Sequence, residues 1–155
     1  MIQIINKKDV KEILPLLELM YNIHQIEIPY FMDPLESLDI LEDRLMKMMD
    51  LDGFYQFVYK LEDKIIAYMD MSEHEAHIDL LFPAKPLIIL DTLIVHPDYR
   101  GQHFAEEMIE FARQHAKSLG FTTMELHVLT AFKNLNKYYQ KHGFKNISNY
   151  MTCKL

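Results

Sequence analysis

The run Leu87-Ile-Ile-Leu-Asp-Thr-Leu-Ile-Val95 constrains the fold more than any other part of the chain. It is apolar apart from Asp91 and Thr92, and Pro97 closes it. An apolar run of strand length bounded by a proline reads as a central strand covered on both faces. Past Arg100-Gly101 the period changes from continuous to helical. Phe104, Ala105, Met108, Phe111, Ala112 and Leu119 fall on one face, and Glu106, Glu107, Glu110, Arg113 and Lys117 on the other. Gly120 follows as a helix stop.

The remaining elements arrange themselves around this pair. Gln3 to Ile5 reads as an edge strand, and Asn6, with Asp9 three residues on, offers a helix start. Val10, Ile13, Leu14, Leu17 and Tyr21 then repeat at helical spacing. Pro15 lies inside the pattern, so this helix is kinked or starts later, and Pro29 ends it. Asp33-Pro34 predicts a second helix with proline in its first turn, burying Leu38, Leu41, Leu45, Met48 and Met49. The aromatic and β-branched runs 54–59 and 64–71 form a hairpin joined by Leu61-Glu62-Asp63, a turn without glycine. Thr122 to Leu129 reads as a strand, Phe132 to Lys141 as a helix, and Phe144 to Leu155 as one or two final strands. The expectation is one mixed α/β domain over residues 1–155.

Composition narrows the partners. A net charge of -7 argues against nucleic acid, which needs a basic face, and suits cationic partners better. No apolar run approaches a membrane span. The N-terminal Met-Ile-Gln-Ile-Ile-Asn lacks a signal peptide's basic and apolar regions, and Cys153, the single cysteine, has no internal partner. These features predict a cytoplasmic protein. His74-Glu-Ala-His77 has a spacing seen among metal ligands, but no cysteine or further histidine pair joins it. It reads as a solvated loop, with no metal expected. Met46, Met48 and Met49 read as core.

The passage from strand to helix carries chemistry of its own. The first turn of a helix presents unpartnered N–H groups and the positive end of the helix dipole. Delivered there by a buried strand and a tight turn, those amides suit a phosphate or pyrophosphate. Arg100 adds a fixed charge and Gly101 allows close backbone approach. An ordinary strand-to-helix turn with a surface arginine is the competing reading.

The segment Leu93-Ile-Val95-His-Pro97-Asp-Tyr-Arg100-Gly101-Gln102-His103-Phe104-Ala105 resembles the signature of the GNAT family of N-acetyltransferases, a strand ending Val-x-Pro followed by an Arg/Gln-x-x-Gly-x-Gly/Ala loop. Tyr139-Gln-Lys-His-Gly143-Phe144 matches the family's second feature, a helix ending Tyr-x-x-x-Gly-Phe, at the matching separation. The resemblance is close over Leu90 to Phe144. It implies a GNAT-like central twisted, mostly antiparallel sheet flanked by helices. It also implies acetyl-CoA as co-substrate, an amine acceptor, and a possible homodimer. Two positions depart from the pattern: His103 stands at the family's inner glycine, and Phe132 where an asparagine is frequent, with Asn134 two residues later.

By resemblance the acyl-CoA contacts fall to Leu93, Ile94 and Val95 and to Arg100, Gly101, Gln102, His103, Phe104 and Ala105, with Asn134 as a possible substitute for the displaced asparagine. The N–H of Val95 or its neighbour polarises the thioester carbonyl. Tyr139 is the implied acid, since a phenol near 10 is matched to a thiol near 8.5; plain packing of the ring is the alternative. Asp91, where many members carry glutamate, is the implied base, against a structural hydrogen bond to a neighbouring loop. His96 and His127 are weaker candidates. The implied reaction is direct acetyl transfer to a primary amine of a small molecule or peptide. The competing function is a non-catalytic acyl-CoA-binding sensor, favoured by His103.

Overall fold

The computed structural model describes residues 1–30, 32–75, 85–149 and 151. His77 and Cys153 lie outside them. Asn6 caps a single 3-10 turn, Lys7–Asp9, before the helix proper. Its Oδ1 accepts the Lys8 N–H at 3.2 Å, while Asp9 Oδ2 accepts the Asn6 N–H at 3.0 Å. Helix α1, Val10–Glu27, therefore starts later than Asn6. Pro15 sits on its exposed side, where water can serve the Lys11 carbonyl that a proline leaves without an N–H.

Helix α2, Leu38–Met48, begins four residues after Pro34, which corrects the expected start. Ser37 is its N-cap, with extended backbone at φ -158°, so Pro34 belongs to the connection and not to the first turn. Leu41 and Leu45 are buried as expected. Strands β1 (Ile2–Ile4), β2 (Phe54–Leu61), β3 (Lys64–His74) and β4 (Leu87–Val95) pair antiparallel in that order. Leu61 pairs with Lys64, so Glu62 and Asp63 alone make the hairpin turn. Both have positive φ, 49° and 65°, giving the mirror-image turn that matches strand twist without any glycine.

After a 3-10 turn, Pro97–Tyr99, helix α3 runs Phe104–Ser118. Its end is closed by Gly120 at φ 89°. The Phe121 N–H returns to Ala116 O and the Gly120 N–H to Lys117 O, both at 3.0 Å. Leu119, expected to face inward, sits at this end and is 40% exposed. Strand β5 is only Met124–Leu126 and pairs parallel to β4; helix α4 is Lys133–Lys141. Residues 150 and 152–155 of the expected final strands lie outside the described residues, and over the first part, 144–149, no strand forms. The only apolar residues there, Phe144 and Ile147, are three apart and off the two-residue strand period, and Ile147 is 77% exposed.

The result is a mixed α/β fold with a five-stranded, mostly antiparallel sheet between helices. On one face Met108, Ala112 and Ala116 of α3 pack with Phe57, Met69, Met71 and Leu90. On the other, Val10, Ile13 and Leu16 of α1 and Leu45 of α2 pack with Val58, Tyr68 and Ile94. Burial on both faces is what the continuous apolar character of β4 demands. Among the described residues no helix is long and apolar enough to cross a membrane.

Candidate active site

Strand β4 changes partners half-way along. Towards β5 its register is Ile88 with Met124, Ile89 with Glu125, and Leu90 with Leu126; there the pairing stops. Towards β3, Asp70 pairs with Thr92 but Met71 pairs with Leu90, so Asp91 is an extra residue on β4. From Thr92 to Val95 the strand keeps β3 on one side and has no strand on the other among the described residues. The His96 N–H is spent on Ile66 O at 2.8 Å, in β3. Because amide directions alternate along an antiparallel strand, Leu93 and Val95 turn their N–H groups to the open side. The bulge and the end of β5 thus produce a slot edged by free amides.

The slot leads to the turn before α3. His96 Nδ1 accepts the Asp98 N–H at 3.3 Å, and Arg100 Nε donates to Val95 O at 3.2 Å, tying the arginine to the end of β4. Gln102 Nε2 holds Asp98 O at 3.2 Å. Gly101 and His103 both adopt left-handed backbone, at φ 74° and 67°. His103 is the residue before the first helical turn, not part of it. It therefore sits where glycine is favoured and carries strain of about 1–2 kcal/mol. Its ring is exposed, with Nδ1 3.6 Å from Glu106 Oε1. The first helical bond runs from the Glu107 N–H to His103 O, which leaves the N–H groups of Phe104, Ala105 and Glu106 free at the positive end of the dipole. Arg100 through Ala105 thus form an amide-lined turn suited to an anion.

Asp91 lies on the opposite side of the same junction. Although it interrupts an apolar run, the bulge turns it out of the core: it is exposed and accepts a hydrogen bond from Ser72 Oγ. The carboxylate that is buried is Asp70, 5% exposed. Its Oδ2 accepts from Tyr68 Oη at 2.7 Å, and its Oδ1 is without a partner. Burial pushes the Asp70 carboxyl up to about 6, and the nearby Asp91 charge adds to the rise. Gln56, opposite Asp70 on β2, is also buried, with both side-chain polar atoms unpaired. Sequence reading missed Asp70. Its signal was the alternation Tyr68, Asp70, Ser72, His74, a polar row on one face of an otherwise apolar strand.

Asp70 and Asp91 line one open cavity of about 460 Å³ together with Thr92, Ser72 and the α2–β2 connection. Met48, expected in the core, is part of its apolar wall. Among the described residues no group of three or more acidic, histidine or cysteine side chains could hold a metal. His96 caps the turn after β4 and His127 is exposed beyond β5; neither lines the cavity.

Tyr139 lies on the buried face of α4, 8% exposed, and does not line this cavity. Gly143 at φ 86° ends the helix, the Phe144 N–H returns to Tyr139 O at 3.1 Å, and the two rings meet edge to face at 5.6 Å. Burial pushes the Tyr139 phenol up to about 12, so the match to a thiol drawn from ordinary values does not hold before ligand binds. Asn134 is exposed in the first turn of α4. Asn136 is the asparagine that secures the start of that helix, donating to Leu129 O and Phe132 O at 3.1 and 3.0 Å. Phe132 packs edge to face on His24 of α1.

Residues 18–144 match the model of the Acetyltransferase (GNAT) family. The chain is 25% identical over 120 residues to the uncharacterized N-acetyltransferase YycN of Bacillus subtilis (strain 168), covering 77% of this chain and 73% of that protein. A crystal structure of a mutant of the BH1408 protein from Bacillus halodurans is similar over 100% of this chain and 99% of its own, with TM-score 0.88 and 17% identity. The aminoglycoside N-acetyltransferase AAC(6')-Iy, solved in complex with CoA, is similar over 100% of this chain and 93% of its own, with TM-score 0.79 and 15% identity.

Proposed function

This chain belongs to the GNAT acetyltransferase family, and from that premise we propose that it transfers the acetyl group of acetyl-CoA to a primary amine of a small molecule or peptide by direct attack. One observation carries the reading: the open-sided stretch of β4 and the acidic cavity meet at Asp91 and Thr92. A thioester lying along Leu93, Ile94 and Val95 would have its carbonyl beside free amides and its far face towards the cavity. Arg100 and the amides of Gly101 to Ala105 would hold the pyrophosphate.

The chemistry follows from the groups present. A neutral amine nitrogen attacks the thioester carbon and a C–N bond forms. The carbonyl oxygen takes the developing charge and accepts from an open-side amide, that of Val95 or Leu93, a donor worth about 2.7–4 kcal/mol in the transition state. Asp91 receives the proton shed by the nitrogen, directly or through water. The C–S bond then breaks with its electron pair on sulfur. Tyr139 donates a hydrogen bond to that thiolate, and completes proton transfer only where the bound cofactor brings its phenol below about 12. Asn134, at the start of α4, is assigned a lesser role beside the cofactor.

A second reading, a non-catalytic acyl-CoA sensor, is favoured by two features: Tyr139 is buried away from the cavity, and His103 strains the turn. Thermal stability with and without acetyl-CoA, followed by thiol release against a panel of amines, separates the two. A stability shift with turnover supports the enzyme. A shift without turnover on any amine supports the sensor, and no shift at millimolar acetyl-CoA removes both.

A further inference from the structure

The cavity beside Asp91 carries more charge than one amine needs. Asp52, Asp70, Glu73 and Asp91 all line it; the basic side chain there is His74, and no lysine or arginine lines it. Among the described residues none of these four carboxylates makes a salt bridge. The other buried carboxylate, Asp9, is by contrast paired, with Lys60 Nζ at 2.6 Å. The Asp70 side chain is buried in the cavity wall with Oδ1 free to accept a donor from a ligand.

The arrangement also specifies what kind of cation fits. The carboxylates are not gathered tightly enough for any three to hold a metal ion. They are spread around a space of about 460 Å³, within the usual range of small-molecule sites. Met48, Leu51 and Phe54 add apolar surface to the same wall. Several carboxylates on a partly hydrocarbon wall complement several positive charges joined by methylenes. A hydroxyl-rich amino sugar would need more neutral hydrogen-bonding partners than Ser72, His74 and Thr92 provide, and Ser72 and His74 already bond each other at 3.0 Å.

Resting on the acetyl-transfer reading for the position of the reacting nitrogen, we infer that the acceptor is an aliphatic polyamine. One nitrogen lies at Asp91 beside the thioester slot and near Asp70, and a second ammonium lies at Asp52 and Glu73. The nitrogen at Asp91 loses its proton and forms the C–N bond, while the distant ammonium stays charged and only positions the chain. Glu73 is prepared for this: Tyr55 Oη donates to its Oε1, and its backbone N–H bonds Gly53 O at 2.7 Å, fixing it against the α2–β2 connection.

The test compares spermidine, butylamine and kanamycin by calorimetry on the protein alone, then by thiol release with acetyl-CoA. Spermidine should bind about tenfold or more tightly than butylamine, a margin that shrinks as salt is raised because part of it is Coulombic. Asp52→Asn and Glu73→Gln, both at exposed positions, should each lower the spermidine-to-butylamine ratio severalfold. Asp43→Asn, an exposed α2 carboxylate outside the cavity, should leave the ratio unchanged. Equal affinity for spermidine and butylamine overturns the inference, as does a preference for kanamycin over spermidine. Spermidine binding that depends on Asp52 and Glu73 without any acetyl transfer upholds the cation site and defeats the enzymatic reading instead.

Discussion

In α3 the Phe121 N–H returns to Ala116 O and the Gly120 N–H to Lys117 O; in α4 the Phe144 N–H returns to Tyr139 O and the Gly143 N–H to Gln140 O. Both glycines are left-handed, and a phenylalanine follows each. The two helix ends are thus one backbone device used twice, with alanine at the first position in one and tyrosine in the other. The comparison divides the Tyr-x-x-x-Gly-Phe signature into two parts. Gly-Phe closes α3 with no tyrosine present, so the stop itself does not require one. The ring of Tyr139 supplies the hydrophobic contact with Phe144 that accompanies such a stop. Its hydroxyl makes no hydrogen bond among the described residues, so the helix stop does not account for it.

Variants at the two ends separate packing from chemistry. Tyr139→Ala should cost about 3–5 kcal/mol in denaturant unfolding, because a buried aromatic is removed; a loss below about 1 kcal/mol would contradict the packing described for it. Tyr139→Phe keeps that packing. Its kcat should fall about 100-fold or more, as expected for a lost proton or hydrogen-bond donor, with stability nearly unchanged. Unaltered kcat across the pH range would leave the hydroxyl without a role and make the two helix ends equivalent. Gly120→Ala and Gly143→Ala should each cost about 1–2 kcal/mol by the same measurement, since an alanine at either site adopts left-handed backbone. Nothing lies within 4 Å of a Cβ at Gly120, and at Gly143 the nearest atom is Arg113 Nη2 at 3.8 Å. Costs that differ by much more than 1 kcal/mol would show the ends are not alike. The smallest effect is expected at the other end of α3. His103→Gly should raise stability by about 0.5–1 kcal/mol by relieving left-handed strain. Calorimetry with CoA should show affinity equal or higher, and a clear loss would give the imidazole a function of its own.

Elements with an uninterrupted pattern were legible in the sequence, and those set by one residue's backbone were not. The apolar run gave β4 its full extent, Leu87–Val95, and alternating charge and apolar character marked α3. The start of α2 was misplaced because Pro34 suits a first turn by composition, while only the extended backbone of Ser37 reveals the real cap. Asp91 reads as buried in any linear pattern; one extra residue in β4 turned it outward, and the buried acid is Asp70 of β3. His103 stands at a glycine position by resemblance, but its left-handed φ is a property of the folded turn. Residues 144–149 show the reverse error, a strand expected where the apolar residues do not alternate.

The open side of β4 has a consequence on the clock of hydrogen exchange. Leu93 and Val95 lie within a sheet, yet their amides face no strand, so without ligand they should exchange like edge amides while those of Ile94 and His96 stay slow. A pantetheine arm carries amide groups of its own and can lie there as a substitute strand. Saturation with CoA should then slow Leu93 and Val95 and leave Ile94 and His96 as they were. The cofactor would complete the sheet for the time it stays bound.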